Sequence, residues 1–426
     1  VPAAIRPIAR TVTDADGDYA GRMLGTLLLG WAVLQCGRFI LSPLLPAIID
    51  DLSLTAATAG LALTAFQAVY AVTQYPSGRL SDEWSRATLL LPGLGVLVVA
   101  FVAIGAAPTY LAFVGGAVLL GLGKGVYVVP SRALLSDLFV ERRGRALGVY
   151  TAGTDVGGLA AAGLAALVLA ASLPLVGLPA GWHAALEAAG WRSPFLPIAG
   201  LLALAALLYA AWNREPFRRG PASLELGTTV RRLATTREQR EVLAAYALFY
   251  FMVGGWINFL PTYLATAKGA PESLASAGFA LVFLTGICTK PAAGWLSDRF
   301  PRRAVSVTGL LLATAALAGV VLASSVPVLA VCVVALALGY KTQFPIVDAI
   351  LLDAAPEANM GGDLGAARAL FLGVGSLGPA YVGVTASTLG YGVAFAGLAG
   401  CLLVAAGIIG RQHRRRRSAA SAAPGD

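Results

Sequence analysis

Apolar residues run along this chain in stretches of about twenty or more, separated by short polar connections. A helix crossing the hydrocarbon core of a bilayer needs about 20 mostly apolar residues. Twelve runs meet that length: 23–48, 56–80, 87–106, 109–136, 144–171 and 193–212, then 242–264, 273–297, 304–324, 326–352, 364–388 and 390–410. The pattern predicts an all-α polytopic membrane protein, with twelve transmembrane helices in two six-helix bundles, 23–212 and 242–410. Residues 1–22 read as a polar cytoplasmic tail with no cleavable signal peptide, and 411–426 as a basic cytoplasmic tail. Between the bundles lies a cytoplasmic linker, 213–241, the longest connection. Pro216, Gly220, Pro221 and Gly227 interrupt any long helix in it, and Arg231 to Glu241 are expected as a short amphipathic surface helix.

Composition closes off the soluble alternative. Of the 426 residues, 58% are hydrophobic and only 12% charged, and the mean hydropathy is +0.76. A soluble globule so poor in charge could not cover its surface. The net charge of +9 comes from 27 Arg and 4 Lys, clustered at Arg142–Arg145, Arg214–Arg240, Arg299–Arg303 and Arg414–Arg417. Alternate connections carry almost no cations. That asymmetry is a topology signal rather than a nucleic-acid surface: both termini are expected in the cytoplasm, in a multi-pass plasma-membrane protein whose basic runs can also touch anionic lipid. Four cysteines inside apolar runs, and His183 and His413 in expected loops, offer no metal-like spacing, so no metal or cofactor is expected. Asp14, Asp16 and Asp18 imitate the start of a calcium loop, but the rest of that pattern is missing, and they read as a solvated tail.

The halves also match each other. Gly78-Arg79-Leu80-Ser81-Asp82 recurs as Gly294-Trp295-Leu296-Ser297-Asp298, at an offset of 216, and the same offset carries Ala133–Asp137 onto Ala349–Asp353. A duplicated six-helix unit follows, an architecture in which the substrate site lies between the repeats near the midplane. On these residues the chain resembles the major facilitator superfamily, whose signature between helices two and three reads roughly Gly-x-Leu-x-Asp-Arg-x-Gly-Arg-Arg. The copy from Gly294 to Arg303 matches it closely apart from Pro301; the first copy is degenerate, with Glu83, Ser85 and Ala87 replacing expected residues. The resemblance implies a gating role for Gly78, Asp82, Arg86, Gly294, Asp298, Arg299 and Arg302. Gly153-Thr154-Asp155-Val156-Gly157-Gly158 lacks the proline of the family's antiporter motif, and Ala117 stands where many members carry Arg. Both departures point away from drug–proton antiport.

Ionisable residues at membrane depth cost roughly 2.5–3.5 kcal/mol each and therefore face cavities or partners. Arg38, Lys124, Asp155 and Lys341 fall near the centres of their spans. If Asp155 neutralises one cation, two remain, an uncompensated cost on the order of 5–7 kcal/mol that an anionic ligand would relieve. Lys124 and Lys341 occupy near-equivalent positions in the two halves, as a two-sided anion clamp requires. The alternative is structural pairing, Lys124 with Asp155 or Lys341 with Asp348. Lys290 and Arg368 lie nearer the cytoplasmic end, within snorkelling range; Lys290 reads equally as a gate residue, and Arg368 as a gate partner of the helix-ten loop. Polar stripes add Gln35, Gln67, Tyr70, Tyr127, Ser131, Tyr250 and Asn258, each either lining a pathway or joining helices. Arg38 and the Lys124 stretch resemble the superfamily's organic-anion symporters, and that resemblance implies a carboxylate-binding role for Arg38. Their coupling carboxylate has no counterpart at Lys124.

The expected function is a secondary active transporter of a small organic anion. Its expected substrate-binding residues are Arg38, Lys124, Lys341, Gln35, Tyr127 and Asn258, with Asp155 as the proton-coupling candidate and protons as the candidate coupling ion. The protein is expected to act as a monomer. Two alternatives are a proton-coupled efflux antiporter and a non-transporting sensor on a transporter scaffold. No paired-carboxylate, Ser/His/Asp or Cys/His arrangement suggests an enzyme.

Overall fold

The computed structural model describes residues 14–170, 188–221, 236–353 and 360–422. Among them are the helices α1 (Asp14–Ile40), α2 (Leu45–Asp51), α3 (Ala56–Glu83), α4 (Arg86–Gly105), α5 (Tyr110–Leu138), α6 (Arg143–Ala170) and α7 (Phe195–Trp212) in the first half. The second half holds α8 (Arg237–Thr266), α9 (Glu272–Arg299), α10 (Arg302–Leu322), α11 (Val326–Lys341), α12 (Gln343–Asp353), α13 (Met360–Gly375), α14 (Gly378–Leu389) and α15 (Tyr391–Ala422). Twelve stretches among the described residues are long and apolar enough to cross a membrane, as the apolar runs predict.

Several boundaries differ from the sequence expectation, each for a local reason. The tenth span is two helices, α11 and α12, broken at Thr342, and the eleventh is α13 and α14, broken at Ser376–Leu377 just before Pro379. Asp14 to Asp18 are helical rather than a loose tail, with Asp18 paired to Arg22 at 2.6 Å. Residues 231–235 of the expected linker helix lie outside the described residues; from Arg237 onward the chain is already the seventh span, capped by the Thr236 hydroxyl. The expected C-terminal tail is helical through Ala422 because its first turns are held down. Gln412 is buried and donates to the Glu238 carbonyl and the Glu241 carboxylate, and Arg415 and Arg416 pair with Glu241 and Glu238. His183 lies outside the described residues.

Within the first half, α5 packs between α3 and α4, and α1 packs on α6 and α7; in the second, α10 and α15 pack together and α8 lies against α13 and α15. Small residues make these approaches possible. At Gly121 a methyl group would strike the Phe66 carbonyl, with the Tyr70 amide 3.1 Å away.

The halves meet along two seams. At the end opposite the termini, α3 lies backbone to backbone on α14, where Gly60 faces the Pro379 carbonyl and Gly383 faces the Ala56 carbonyl. There Ser42 donates to the carbonyls of Ile257 and Asn258, both at 2.7 Å, and the Ala380 amide donates to Thr64. Within the first half that end is clamped by Arg192, which pairs with Asp51 at 2.7 Å and donates to the Ala107 carbonyl. The Arg192 hydrogen bond holds the exposed Asp51 carboxyl below its usual range. The second seam, α6 against α9, lies at mid-depth.

These contacts make a packing prediction. Gly121→Val should lower thermal stability in detergent by about 1–3 kcal/mol through overpacking, whereas Gly163→Val, with nothing within 4 Å of the added carbon, should melt with the wild type. Equal melting of the two variants would contradict the α3–α5 packing.

Candidate functional site

The α6–α9 seam is built on glycine. Gly157 brings α6 against the backbone of α1 at Ala32 and Cys36, and Gly158 accepts the Phe283 ring of α9. Trp31 of α1 donates to Thr154 at 3.0 Å, which fixes the rotation of α6 and turns Asp155 toward the second half. Across the seam Gly286 leaves the space that Asp155 needs: an added carbon there would lie 2.6 Å from Asp155 Oδ1 and 3.1 Å from Lys341 Nζ.

Both carboxylate oxygens of Asp155 are taken. Lys341 Nζ donates to Oδ1 at 2.8 Å, and Lys290 Nζ donates to Oδ2. The Asp155 and Lys341 side chains are 2% and 4% exposed, so this is a buried charge cluster. One anion from the first half meets two cations from the second, and a positive charge is left over. The Lys341 ammonium also lies over the Phe283 ring at 4.7 Å and the Tyr340 ring at 5.3 Å.

A second positive pole belongs wholly to the first half. Lys124 is buried, and its Nζ sits among rings: Tyr70 at 4.3 Å, Phe66 at 5.5 Å and Trp31 at 5.9 Å. The Arg38 guanidinium lies 4.4 Å from the Phe39 ring and 5.7 Å from Phe66. Neither cation has a carboxylate partner among the described residues. Cation–π contacts compensate a buried charge only in part. Arg38 lies within electrostatic reach of Lys124 on its own half and of Tyr340 and Lys341 on the other. Rings bridge the gap, with Phe39 packed on Phe283 at 4.6 Å. Arg38, Lys124, Lys290 and Lys341 therefore share the centre with one carboxylate, a formal excess of three positive charges, and Arg132 adds to the positive field on Lys124.

The other sequence candidates divide. Gln35, one turn before Arg38, is buried, and its Oε1 has no hydrogen-bond partner among the described residues. Tyr127 is spent on structure: its hydroxyl donates to the Leu27 carbonyl at 2.7 Å, joining α5 to α1. Ser131 is likewise bonded to Tyr150 of α6. The Asn258 amide donates to the Gly254 carbonyl within its own helix, at the seam closed by Ser42. Lys290, for which a gate role and snorkelling were both open, is drawn inward by Asp155. Asp155 meets Lys290 and Lys341 rather than Lys124, and the Asp348 side chain lies outside the described residues. Trp256 escaped notice in the sequence because an aromatic in an apolar run carries no signal. It is fully buried against Tyr340, with an unpartnered Nε1.

Comparison with known proteins decides the family. The Major Facilitator Superfamily model matches the chain twice, over residues 27–278 and 242–425. The chain belongs to the Major Facilitator Superfamily. It is 25% identical to the hexuronate transporter of Bacillus subtilis, over 84% of this chain and 86% of that protein. It is 28% identical to a chloramphenicol resistance protein of Streptomyces lividans, over 85% and 88%. The phosphoglycerate transporter protein of Salmonella typhimurium is 24% identical over 66% of this chain, which spans 64% of that relative's length. A solved structure, the inward-facing, unoccupied form of a bacterial homologue of the human lysosomal transporter Spinster, superposes with a TM-score of 0.77. It is 19% identical over 92% of this chain and 96% of that one.

The superfamily signature loop is assembled in the first half. Arg86 donates to Ser81 at 2.7 Å and lies 3.3 Å from Asp137 and 3.7 Å from Asp82, near Gly78 at the end of α3. The degenerate positions have acquired a different task. Trp84 donates to the Gly220 carbonyl, the Ser85 hydroxyl accepts from the Arg218 amide, and the Glu215 carboxylate accepts from the Ala87 amide at the start of α4. The first residues of the linker are thus strapped across the loop, and a carboxylate at a helix N-terminus is favoured there. In the second copy Asp298 and Arg299 are exposed, with Arg299 stacked 3.8 Å from Trp295, while Gly294 and Arg302 flank them. The neighbouring Arg303 is buried against Glu238 at 2.5 Å.

Asp155→Asn should leave two lysines without their anion and lower stability by about 3–5 kcal/mol. Adding Lys341→Met should recover most of that loss in thermal melts. If the single variant melts like wild type, the cluster is not the neutralising element described here.

Proposed function

We propose that this superfamily member is a secondary active transporter working by alternating access, and that its cargo is a small organic anion. The observation that carries the reading is the buried excess of positive charge at the centre, contributed by both halves. An anion bound among Arg38, Lys124 and Lys341 would supply the missing compensation and would touch both halves at once. Charge-assisted bonds to Arg and Lys are the strong kind, and Arg38 suits a planar carboxylate.

The same geometry supplies a switch. Asp155 offsets one of the two lysine charges when the site is empty. An arriving anion competes with it for Lys341, and the carboxylate so released is the candidate proton acceptor of the cycle. The anion's attraction for both poles draws the units 23–212 and 242–410 together, and the signature loops, including Asp298 and Arg299, change partners as the units rock. The basic end faces the cytoplasm of the plasma membrane by the positive-inside rule, and the chain acts as a monomer. Relatives named for hexuronate and phosphoglycerate transport both handle anions, which supports the reading. The relative named for chloramphenicol resistance supports the competing one, efflux of a hydrophobic compound; a centre rich in cations disfavours a cationic cargo. No covalent step is part of the proposal.

Thermal stabilisation of the purified protein tests this. A ligand present at 100 times its dissociation constant adds about 2.7 kcal/mol to stability. A panel of carboxylates, phosphates, neutral sugars and lipophilic cations should yield stabilisation by anions only, absent in Arg38→Ala and in Lys124→Ala. Stabilisation by lipophilic cations alone, unchanged in both variants, would replace anion transport with efflux.

A further inference from the structure

Beside the cations, the interior carries polar atoms without a hydrogen-bond partner among the described residues. Gln35 Oε1, Gln67 Nε2 and Trp256 Nε1 are buried and have no hydrogen-bond partner among the described residues. Each adjoins a residue of the positive poles along its helix or through a ring. Gln35 is one turn from Arg38 on α1. Gln67 adjoins Phe66 on α3, whose ring lies beneath both Arg38 and Lys124. Trp256 of α8 packs on Tyr340, the residue before Lys341. A buried polar atom left unpaired is costly, and native proteins keep few of them without a reason.

We infer that the anion this site takes is hydroxylated, a small hydroxy or polyhydroxy carboxylate rather than a plain aliphatic acid. A hydroxyl both donates and accepts. It can therefore satisfy the Gln35 acceptor and the Gln67 or Trp256 donors, which a methylene cannot. Rings alone would suit an apolar acid, but the unpaired amide groups would then be sealed against hydrocarbon. The inference rests on the anion reading above and refines its substrate class. It also gives Gln35, Gln67 and Trp256 a specificity role distinct from the charge role of Arg38 and Lys124. A site built to bond a substrate hydroxyl rejects the analogue lacking it far more strongly than an apolar pocket rejects an extra methylene.

The test uses matched pairs: gluconate against hexanoate, and lactate against propionate. Dissociation constants are measured by thermal shift and calorimetry on the full chain. At least one hydroxylated member should bind roughly tenfold or more tighter than its deoxy partner. In Gln35→Leu and Gln67→Leu that ratio should fall below about threefold, while the empty variants melt no lower than wild type, since each loses an unpaired buried polar atom. Equal or tighter binding of the deoxy acids by the wild type would overturn the inference and leave the anion reading standing. So would a preference retained in both Leu variants. If neither member of any pair binds and lipophilic cations do, the anion reading fails first and takes this inference with it.

Discussion

Everything at the centre of this protein follows from the difficulty of keeping charge inside a membrane. A single carboxylate, Asp155, is held between Lys341 and Lys290 across the seam of the two halves. Removing one partner of such a cluster strands the others in a low-dielectric interior, so the cluster behaves as a unit. Its demands reach into the sequence around it. Gly157 and Gly158 let α6 lie close to α1 and α9, and Gly286 clears the volume in which the carboxylate and ammonium meet. The cluster is also unbalanced, and the proposed binding role rests on that imbalance.

Two poles with different compensation give the site its logic. The second-half pole, Lys290 and Lys341, shares one anion, Asp155, that reaches it from the first half. The first-half pole, Arg38 and Lys124, has aromatic faces and a further cation, Arg132, nearby. A ligand with negative charge improves both poles, and the Phe39–Phe283 contact means that neither half can move without repacking the wall between them. The backbone-to-backbone seam at the far end, Gly60 and Gly383 with Pro379 and Ala56, closes one route to the centre. In the proposed cycle that seam would separate, and glycine contacts without large interlocking side chains suit such a surface.

Much of the fold was legible because it is set by apolar run length, a property of consecutive residues. The twelve spans were placed this way, and the duplicated signature marked the two halves. The breaks at Thr342 and Ser376–Leu377 were not legible, since they interrupt the helix without interrupting hydropathy. The site was legible in part: Arg38, Lys124, Asp155 and Lys341 stood out as charges where charge is expensive. Their partners did not. Asp155 finds Lys290 and Lys341 at separations of 135 and 186 residues, and nothing in the local pattern encodes those distances. Tyr127 shows the converse failure. A tyrosine on a polar stripe looks like pathway lining until its hydroxyl is found on the Leu27 carbonyl. The departures at Glu83, Ser85 and Ala87 read as decay of the signature, yet the same loop, through Trp84, Ser85 and the Ala87 amide, holds the strap from the linker.

The central claim is that a cation-rich site shared by two rocking halves carries an anion across the membrane. Counterflow in proteoliposomes tests it most directly. Vesicles loaded with unlabelled gluconate are diluted into labelled gluconate, and entry of label is followed without any imposed gradient of protons or potential. The account predicts transient accumulation by the wild type and none by Arg38→Ala or Lys341→Met, one variant from each half. Binding of gluconate without counterflow, or full counterflow in Lys341→Met, would contradict it.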